Sequence, residues 1–483
     1  MMVGASLRGH MKHLPAAVHR SRSSSSSYSS LRSSSSTECS SSPSLAAPVQ
    51  PLSVYVHFPY CQHICGYCAF TKYPARLGID HERFRGALLR EARTQLALAQ
   101  PLNRVQPGAL VSSSLSSAAS RPPYGHLAAA AEHRAPGSEL PRIHSVFFGG
   151  GTPSLAEPRL VSDLLQCLRT NAQLEEKVEV TMEMNPTSIE VEKLHAFREA
   201  GVNRVSIGVQ ALNAEDLVFL GRKHSVQEAV HAIRSAQKIF PLSSIDLIFG
   251  RHAKQELSGW RDELHFALGE LGLRHLSLYE LSIEEGTSFD RLKKHNRLSL
   301  CDDEISAELY DACVEVAAEY GLERYEVSNF AVPGEECVHN VQYWCGGDFL
   351  GLGPSASGRI HLSTTPPDSA SASMQQRAAT KNHASMQEWY ERVERDGTAF
   401  EQIQFLDPSE QRQELLMMGL RRREGISTEV FRQHSGESLH QFVTQSDGVQ
   451  WCIEEQLLRY DASGLRASPT GMNLLNSVLD RIL

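Results

Sequence analysis

Short apolar runs alternate with amphipathic stretches from residue 51 to about residue 285. Six of the runs are rich in β-branched and aromatic residues, which is typical of buried strands. Between them, apolar positions recur with the spacing of helices. This alternation predicts parallel βα units with right-handed connections, and hence an α/β barrel or partial barrel. The predicted strands cover residues 53–58, 143–148, 178–184, 203–210, 244–249 and 275–281.

The pattern changes after about residue 285, where strands and helices no longer alternate. From residue 386 onward the chain is mostly helical in pattern, and its clearest amphipathic stretch covers residues 412–427. A short β-wing precedes the last predicted helix. We therefore predict a core over residues 51–285, an extension over 286–362 and a small winged-helix-like domain over 386–483.

Three segments are rich in serine, alanine or proline and lack apolar periodicity. Low-complexity composition of this kind does not bury enough apolar surface to fold alone. We predict a disordered leader over residues 1–50, a disordered insertion into the core over 101–141 and a flexible loop over 363–385.

Charge separates the leader from the rest of the chain. Residues 1–50 hold five Lys and Arg and one Glu, a balance of +4, whereas the remaining 42 basic and 55 acidic residues give −13. A basic, serine-rich leader predicts mitochondrial import, although a plain disordered tail has the same composition. The acidic body gives no electrostatic reason to expect nucleic-acid binding. No apolar run approaches the roughly 18 residues of a membrane span.

Three of the ten cysteines, Cys61, Cys65 and Cys68, lie within the sequence CQHICGYC. Ten cysteines in a chain of 483 residues are too few for a disulfide scaffold, so we expect a reducing compartment. One interpretation of the motif is a zinc site of the three cysteines and His63. The other is an iron–sulfur cluster with three cysteine ligands and one open iron. The spacing alone leaves both open.

Polar residues follow the predicted strands at their carboxyl ends. GGGTPS follows the second strand, Glu183 ends the third and Gln210 ends the fourth. Arg222 follows in LGRKH, and Asp246 lies on the fifth strand. Each has an ordinary structural interpretation as a turn, a cap or an ion pair. Their shared position predicts one site, because parallel αβ barrels bind ligands at this face.

These motifs resemble the radical S-adenosylmethionine (SAM) superfamily, and within it the HemW / oxygen-independent coproporphyrinogen oxidase branch. The resemblance runs from about residue 51 to the C-terminus, apart from the insertion. It is carried by CQHICGYC, VFFGGGTPSL, EMNP, GVNRVSIGVQ, LGRKH, DLIFG, YEVSNFA, HNVQYW and GLRRREGI. With the basic leader, the chain resembles the mitochondrial members.

The resemblance implies a partial (β/α)6 barrel in which Cys61, Cys65 and Cys68 hold a 4Fe–4S cluster. It also implies that the open iron binds SAM and that one electron from the cluster cleaves it. The usual GLP after the fifth strand is replaced by GRHAKQ, residues 250–255. The implied SAM contacts are Tyr55, Tyr67, Gly150, Gly151, Thr152, Glu183, Gln210, Arg222 and Asp246.

The residue at position 70 distinguishes the oxidase members of this branch from the other members. The oxidase members have a fourth cysteine two places after the third, and this chain has Phe70 there. The resemblance therefore implies a haem chaperone that carries haem to acceptor proteins, with an electron donor as a further partner. The alternatives are an oxygen-independent coproporphyrinogen III oxidase or another radical SAM enzyme.

The motif HNxxYW supplies a candidate haem ligand. In HNVQYW the histidine is His339, and imidazole is a common axial ligand of haem iron. The resemblance links this motif to haem. Cys337 and Cys345 are the nearby alternatives, since thiolate also binds haem iron.

Overall fold

The computed structural model of this chain describes residues 51–99, 140–363 and 375–483. The predicted leader, residues 101–139 of the predicted insertion and residues 364–374 of the predicted loop lie outside the described residues. None of the helices in the described part of the chain is long and apolar enough to cross a membrane.

The strands are short, and most of those in the core are buried on both faces. In chain order they are β1 Leu52–Phe58, β2 Tyr60–Cys61, β3 Tyr73–Pro74, β4 Arg142–Gly150, β5 Gln173–Met184, β6 Arg204–Gln210, β7 Leu242–Phe249, β8 His275–Glu280, β9 Glu323–Glu326, β10 Asn329–Ala331, β11 Phe349–Leu352, β12 Ser357–Ser363, β13 Gln375–Asn382, β14 Phe400–Phe405, β15 Ile426–Ser427, β16 Leu458–Asp461 and β17 Gly464–Ala467.

The helices begin mostly at polar caps; Asp80, for example, accepts a hydrogen bond from the Arg83 amide at 3.0 Å. In chain order they are α1 His81–Leu98, α2 Pro158–Asn171, α3 Ser188–Val191, α4 Leu194–Ala200, α5 Ala214–Phe219, α6 Val226–Ile239, α7 Leu257–His265, α8 Ser288–Lys294, α9 Asp303–Glu319, α10 Val338–Trp344, α11 Met386–Asp396, α12 Pro408–Gly419, α13 Thr428–Ser435, α14 Leu439–Gln445, α15 Asp447–Glu454, α16 Pro469–Asn473 and α17 Leu475–Ile482. A single π-helical turn, Phe266–Glu270, follows α7.

One sheet of twelve strands organises the molecule, in the order β14-β13-β12-β11-β1-β4-β5-β6-β7-β8-β10-β9. The six predicted strands are β1 and β4 to β8, and they lie side by side in parallel. That prediction is confirmed. β11 adds another parallel strand beside β1, and antiparallel strands extend the sheet at both ends. The two ends do not pair with each other, so the predicted partial barrel is open.

The main core lies between the sheet and the helices packed on it. Strands β1, β4 and β5 supply fully buried apolar side chains such as Val54, Val146 and Val180. Helices α1 and α2 cover them with residues such as Leu88 and Leu164. These parallel strands are apolar on both faces, which is why the hydrophobic pattern alone located them.

A second core lies in the C-terminal unit, residues 406–483, which combines helices α12 to α17 with the three-stranded sheet β15-β17-β16. This is the predicted helix-plus-wing arrangement. The predicted start at residue 386 is wrong, because Trp389 and Tyr390 of α11 pack into the main core. The predicted flexible loop is also too long, because residues 375–382 form β13 within the main sheet.

Candidate functional site

The cysteine loop connects β2 to β3 at the carboxyl end of β1. Cys61 ends β2 and is buried, whereas Cys65 and Cys68 lie in the loop and are half-buried. The Cys68 amide donates a hydrogen bond to the Cys65 carbonyl at 3.3 Å, which turns the loop back on itself. His63, which the zinc interpretation needs, is exposed. The loop therefore presents three thiols from one short segment.

The thiols of this loop influence each other's protonation. Burial, together with the neighbouring Cys68 and Cys65, raises the pKa of Cys61 to about 11, although a hydrogen bond with Thr152 and the charge of Lys72 oppose this. Burial also raises the pKa of Cys68, against the charge of Lys72. Because metals bind thiolates, a cation bound here would release protons. In the described residues no three His, Cys, Asp or Glu side chains converge closely enough for a single metal ion.

The glycine loop that follows β4 packs directly on the start of the cysteine loop. Gly150 has a φ of +107°, and a Cβ there would lie 2.6 Å from the His57 ring. A Cβ on Gly151 would lie 2.7 Å from the Tyr60 carbonyl oxygen. The Thr152 amide donates to that same oxygen at 2.8 Å. The glycines are thus required for the contact between the two loops.

Arg222 joins three parts of the site. Its Nη1 donates to the Cys65 sulfur at 3.3 Å, and its Nη2 donates at 2.6 Å to both the Asn185 side-chain oxygen and the Gly208 carbonyl. Its Nε is buried and has no hydrogen-bond partner among the described residues. Such a donor favours an acceptor supplied by a ligand.

Asn185 is a site residue that sequence reasoning did not single out. Its side-chain nitrogen donates to the Thr152 hydroxyl at 2.9 Å, while its oxygen accepts from Arg222. It therefore connects the glycine loop to the arginine. Its position directly after β5, within the quoted EMNP motif, was the available signal.

Glu183 and Asp246 form a pair of half-buried carboxyl groups on β5 and β7, the strands on either side of β6. Glu183 accepts a hydrogen bond from the Gly150 amide at 3.1 Å, and Asp246 accepts one from the Ser206 hydroxyl at 3.0 Å. Burial, followed by the charge of Asp246, raises the pKa of Glu183 to about 7. Burial also raises the pKa of Asp246. The pair suits hydrogen-bond donors or a positive charge on a ligand.

The remaining predicted SAM contacts are two tyrosines and a glutamine. The Tyr55 hydroxyl lies 3.1 Å from His57 Nδ1, and Tyr67 packs edge-on against Phe289 with ring centroids 6.1 Å apart. Gln210 has a φ of +72°, an uncommon conformation for a residue other than glycine. The structure thus brings together Tyr55, Gly150, Gly151, Thr152, Glu183, Gln210, Arg222 and Asp246 around the cysteine loop, with Tyr67 inside that loop.

The sequence GRHAKQ, which stands where GLP is usual, contains an arginine that forms a buried ion cluster beside this site. Arg251 is fully buried and donates to Asp216 at 2.5 Å and to Glu263 at 2.7 Å. It also donates to the Gln210 carbonyl at 3.4 Å. The replacement sequence therefore supports the unusual turn at Gln210.

His339 lies in the core, and both of its ring nitrogens have hydrogen-bond partners. Its ring is fully buried, with Nδ1 2.9 Å from the Ser145 hydroxyl and Nε2 2.7 Å from the Tyr343 hydroxyl. The ring also stacks on Phe147 at 5.0 Å. Here the ring joins α10 to β4, and haem ligation by His339 stays a prediction that would require one of these hydrogen bonds to be replaced. Cys337 is also buried, whereas Cys345 is half-buried.

Two protein-family models match the chain, one over most of the parallel strands of the main sheet and one over the C-terminal unit. Residues 55–257 match the model of the radical SAM superfamily, and residues 406–474 match the HemN C-terminal domain. The mitochondrial radical S-adenosyl methionine domain-containing protein 1 of Danio rerio is 35% identical over 89% of this chain and 86% of its own length.

Two bacterial proteins are also similar. The "Heme chaperone HemW" of Escherichia coli is 32% identical over 64% of this chain and 70% of its own length. The structure of coproporphyrinogen III oxidase (HemN) from Escherichia coli covers 90% of this chain and 91% of its own with a TM-score of 0.66, at 19% identity. That likeness shows the fold. The chain belongs to the radical SAM superfamily, in the family that contains HemW and the mitochondrial radical SAM domain-containing protein 1.

Proposed function

We propose that this protein is a mitochondrial haem chaperone built on a radical SAM scaffold. The observation that carries the proposal is Phe70, which stands where the oxidase members of the branch have a fourth cysteine. The relative named a heme chaperone supports the same function. The likeness to the oxidase structure is one of fold and does not favour oxidase activity.

The residues of the site fit a 4Fe–4S cluster and SAM. Three thiols come from one loop, the glycine loop packs directly on the start of that loop, and Arg222 Nε lacks an acceptor among the described residues. A cluster with three cysteine ligands supplies one open iron for SAM and one electron for its cleavage.

The chain's own residues would hold SAM in place around that iron. Glu183 and Asp246 would accept hydrogen bonds from its donor groups, and Gly150 and Gly151 would hold the glycine loop against the cysteine loop beside it. Arg222 holds the cysteine loop against the strand ends. We also propose haem as cargo, haem-requiring proteins as acceptors and a separate electron donor.

Mitochondrial location agrees with the names of relatives that match about nine tenths of the chain. We propose that residues 1–50 direct import. A reporter fused to this segment should accumulate in mitochondria, and a reporter that stays in the cytosol would contradict the proposal.

The function is tested with anaerobically reconstituted full-length protein, expected to hold about four iron and four sulfide. The protein is titrated with haem and then mixed with an apo-haemoprotein, and haem transfer is followed by absorption. In parallel it receives coproporphyrinogen III, SAM and a reductant. Transfer without porphyrinogen turnover supports the chaperone, whereas formation of protoporphyrinogen would establish the oxidase instead.

A further inference from the structure

Three unpaired basic side chains lie on α8 and the turn after it. Arg291, Lys293 and Arg297 are exposed, and none of them forms an ion pair with a carboxylate of the described residues. The nearby Asp290 pairs instead with Lys294 at 2.9 Å. We call the three unpaired residues the basic surface. Because the chain from residue 51 onward is acidic overall, this surface carries the opposite charge to most of the molecule.

Helix α8 begins directly on the cysteine loop. The Phe289 amide donates a hydrogen bond to the Gly66 carbonyl at 3.0 Å, and a Cβ on Gly66 would lie 2.7 Å from the Phe289 ring. Gly66 follows Cys65 directly in the sequence. Since a helix rises about 1.5 Å per residue, Lys293 lies only about 6 Å along the axis from this contact. The basic surface is therefore next to the loop that carries the three thiols.

Packing and a backbone hydrogen bond fix the basic surface in place. Leu292 and Leu298 pack with Phe289 in a small apolar cluster that also includes Tyr67 of the cysteine loop. The Arg297 amide donates to the Leu292 carbonyl at 2.9 Å, which folds the chain back at the end of α8. A surface formed in advance loses little conformational freedom when a partner binds to it.

The cysteine loop adds exposed apolar side chains to this part of the molecule. Ile64, two positions before Gly66, is 51% exposed, and Phe70 is 40% exposed. Protein interfaces combine an apolar centre with a polar or charged rim. The cysteine loop and α8 together offer both, so they fit a protein partner whose own surface is acidic.

We propose that the basic surface docks an acidic one-electron donor protein, which passes its electron to the cluster through the cysteine loop. The inference rests on the proposed 4Fe–4S cluster and its separate electron donor, and it names where that donor binds. In the transfer, the redox centre of the donor is oxidised by one electron and the cluster is reduced by the same electron. Complementary charges speed such an encounter and orient the two proteins.

Reversal of the three charges tests the basic surface in the anaerobically reconstituted full-length protein. One variant combines Arg291→Glu, Lys293→Glu and Arg297→Glu. The probe is a reduced, acidic 2Fe–2S ferredoxin, and stopped-flow absorption follows its oxidation by the cluster at low and at high salt. Photoreduced deazaflavin, a small uncharged reductant that needs no docking surface, verifies that the cluster of each variant still accepts electrons.

The matched control makes the same change in net charge at the opposite edge of the strands. It combines Arg169→Glu, Lys177→Glu and Lys238→Glu, at positions that are exposed and have no ion pair within the described ranges. Arg169 and Lys238 lie in the last turns of α2 and α6, and Lys177 lies in the first half of β5. The cysteine loop lies at the carboxyl end of β1, so this control leaves its surroundings unchanged.

We expect ferredoxin to reduce the basic-surface variant about tenfold more slowly than the parent at low salt. The difference should shrink as salt rises, because ions screen the attraction between exposed charges. The control should react within about twofold of the parent, and deazaflavin should reduce all three proteins alike. This combination of rates supports the docking site.

Equal rates with ferredoxin in the parent and the basic-surface variant would overturn the docking site while leaving the cluster and the chaperone function intact. Equal slowing of the variant and its control would overturn it as well, because net charge alone would then explain the effect. Phosphatidylserine vesicles are a second probe: binding that only the basic-surface variant loses, with ferredoxin rates unchanged, would assign the surface to a membrane instead. A parent protein that assembles no cluster would contradict the proposed radical SAM site itself.

Discussion

Gly150 and Gly151 decide whether the glycine loop can lie on the cysteine loop. Gly150→Ala introduces a side chain at a φ of +107° and against the His57 ring, which we expect to cost at least about 1–2 kcal/mol. Gly151→Ala meets backbone atoms, which cannot move aside. Both variants should lower the urea midpoint and weaken SAM binding measured by calorimetry.

Gly86 provides the matched control for these substitutions. It is exposed in α1, and a Cβ there would meet no atom within 4 Å. Gly86→Ala should stabilise the protein by up to about 1 kcal/mol, since alanine favours helix. If Gly150→Ala behaves like Gly86→Ala, the glycine loop is a simple turn.

Arg222 is predicted to act through its geometry as well as its charge. Arg222→Lys keeps the charge, but one ammonium cannot bond Cys65, Asn185 and Gly208 together. Lost bonds of about 1.5 kcal/mol each should weaken SAM binding by about tenfold or more, with iron content unchanged. Lys223→Ala, at the exposed neighbouring position, should leave SAM affinity as it is. Equal SAM affinity in Arg222→Lys would show that charge alone suffices.

Which contacts of a residue can be inferred from the sequence depends on how far along the chain its partners lie. The cysteines and glycines lie within short motifs, so their neighbours could be inferred from the sequence. His339 could not be understood this way, because its partner Ser145 is 194 positions away in the chain. Asn185 was missed for the same reason: its role depends on Arg222, which lies 37 positions away.

Helix α10 depends on one buried carboxylate of β5. Glu179 accepts hydrogen bonds from the His339 amide at 3.1 Å and the Val338 amide at 3.2 Å, and pairs with the buried Arg204. Glu179→Ala should destabilise the protein by about 3–5 kcal/mol, because Arg204 would be left buried without its partner. Urea unfolding measures the loss, and amide exchange in α10 should accelerate.

The control for this prediction lies on the same strand. Glu175 pairs with Arg142 at 2.9 Å, but both side chains are substantially exposed. Glu175→Ala should cost less than about 1 kcal/mol. Similar losses in the two variants would mean that Glu179 does not hold α10.

Elements with strong apolar patterns were predicted within a few residues, whereas polar ones were not. The strand Gln375–Asn382 reads QQRAATKN, which carries few apolar residues, and only its pairing with β12 and β14 makes it a strand. Helix α11 was assigned to the wrong unit because its amphipathic pattern does not specify which surface it covers. Here Trp389 packs on Phe84 of α1.

Glu91 connects distant parts of the molecule. This fully buried carboxyl group on α1 accepts hydrogen bonds from the Gly353 amide at 2.7 Å, from Asn382 at 2.8 Å and from the Trp389 indole at 3.2 Å. Glu91→Ala would leave these donors unsatisfied and should cost about 3 kcal/mol or more in urea unfolding.

The pH dependence of stability offers a second test of Glu91. Burial raises its pKa from 4.5 to about 8, although the hydrogen bonds from Gly353, Trp389 and Asn382 oppose this. The folded state thus binds the proton more tightly, so this contribution is full below about pH 4.5 and is lost as the pH rises through about 8. Glu91→Gln cannot titrate, and its unfolding free energy should fall less steeply between about pH 5 and pH 9. Parallel curves for parent and variant would contradict the shifted pKa.

Because the main sheet is open, one of its edge strands could pair with other molecules unless another part of the chain covers it. Its last strand, β9, would present unpaired backbone groups to other molecules, and exposed edges of this kind promote aggregation. The C-terminal unit covers that edge: the Arg423 amide donates to the Tyr325 carbonyl at 3.1 Å, and Glu326 forms a β-bridge with Arg422. The segment 422–423 therefore keeps this edge from pairing with other molecules, and a chain cut before residue 406 should form edge-to-edge aggregates.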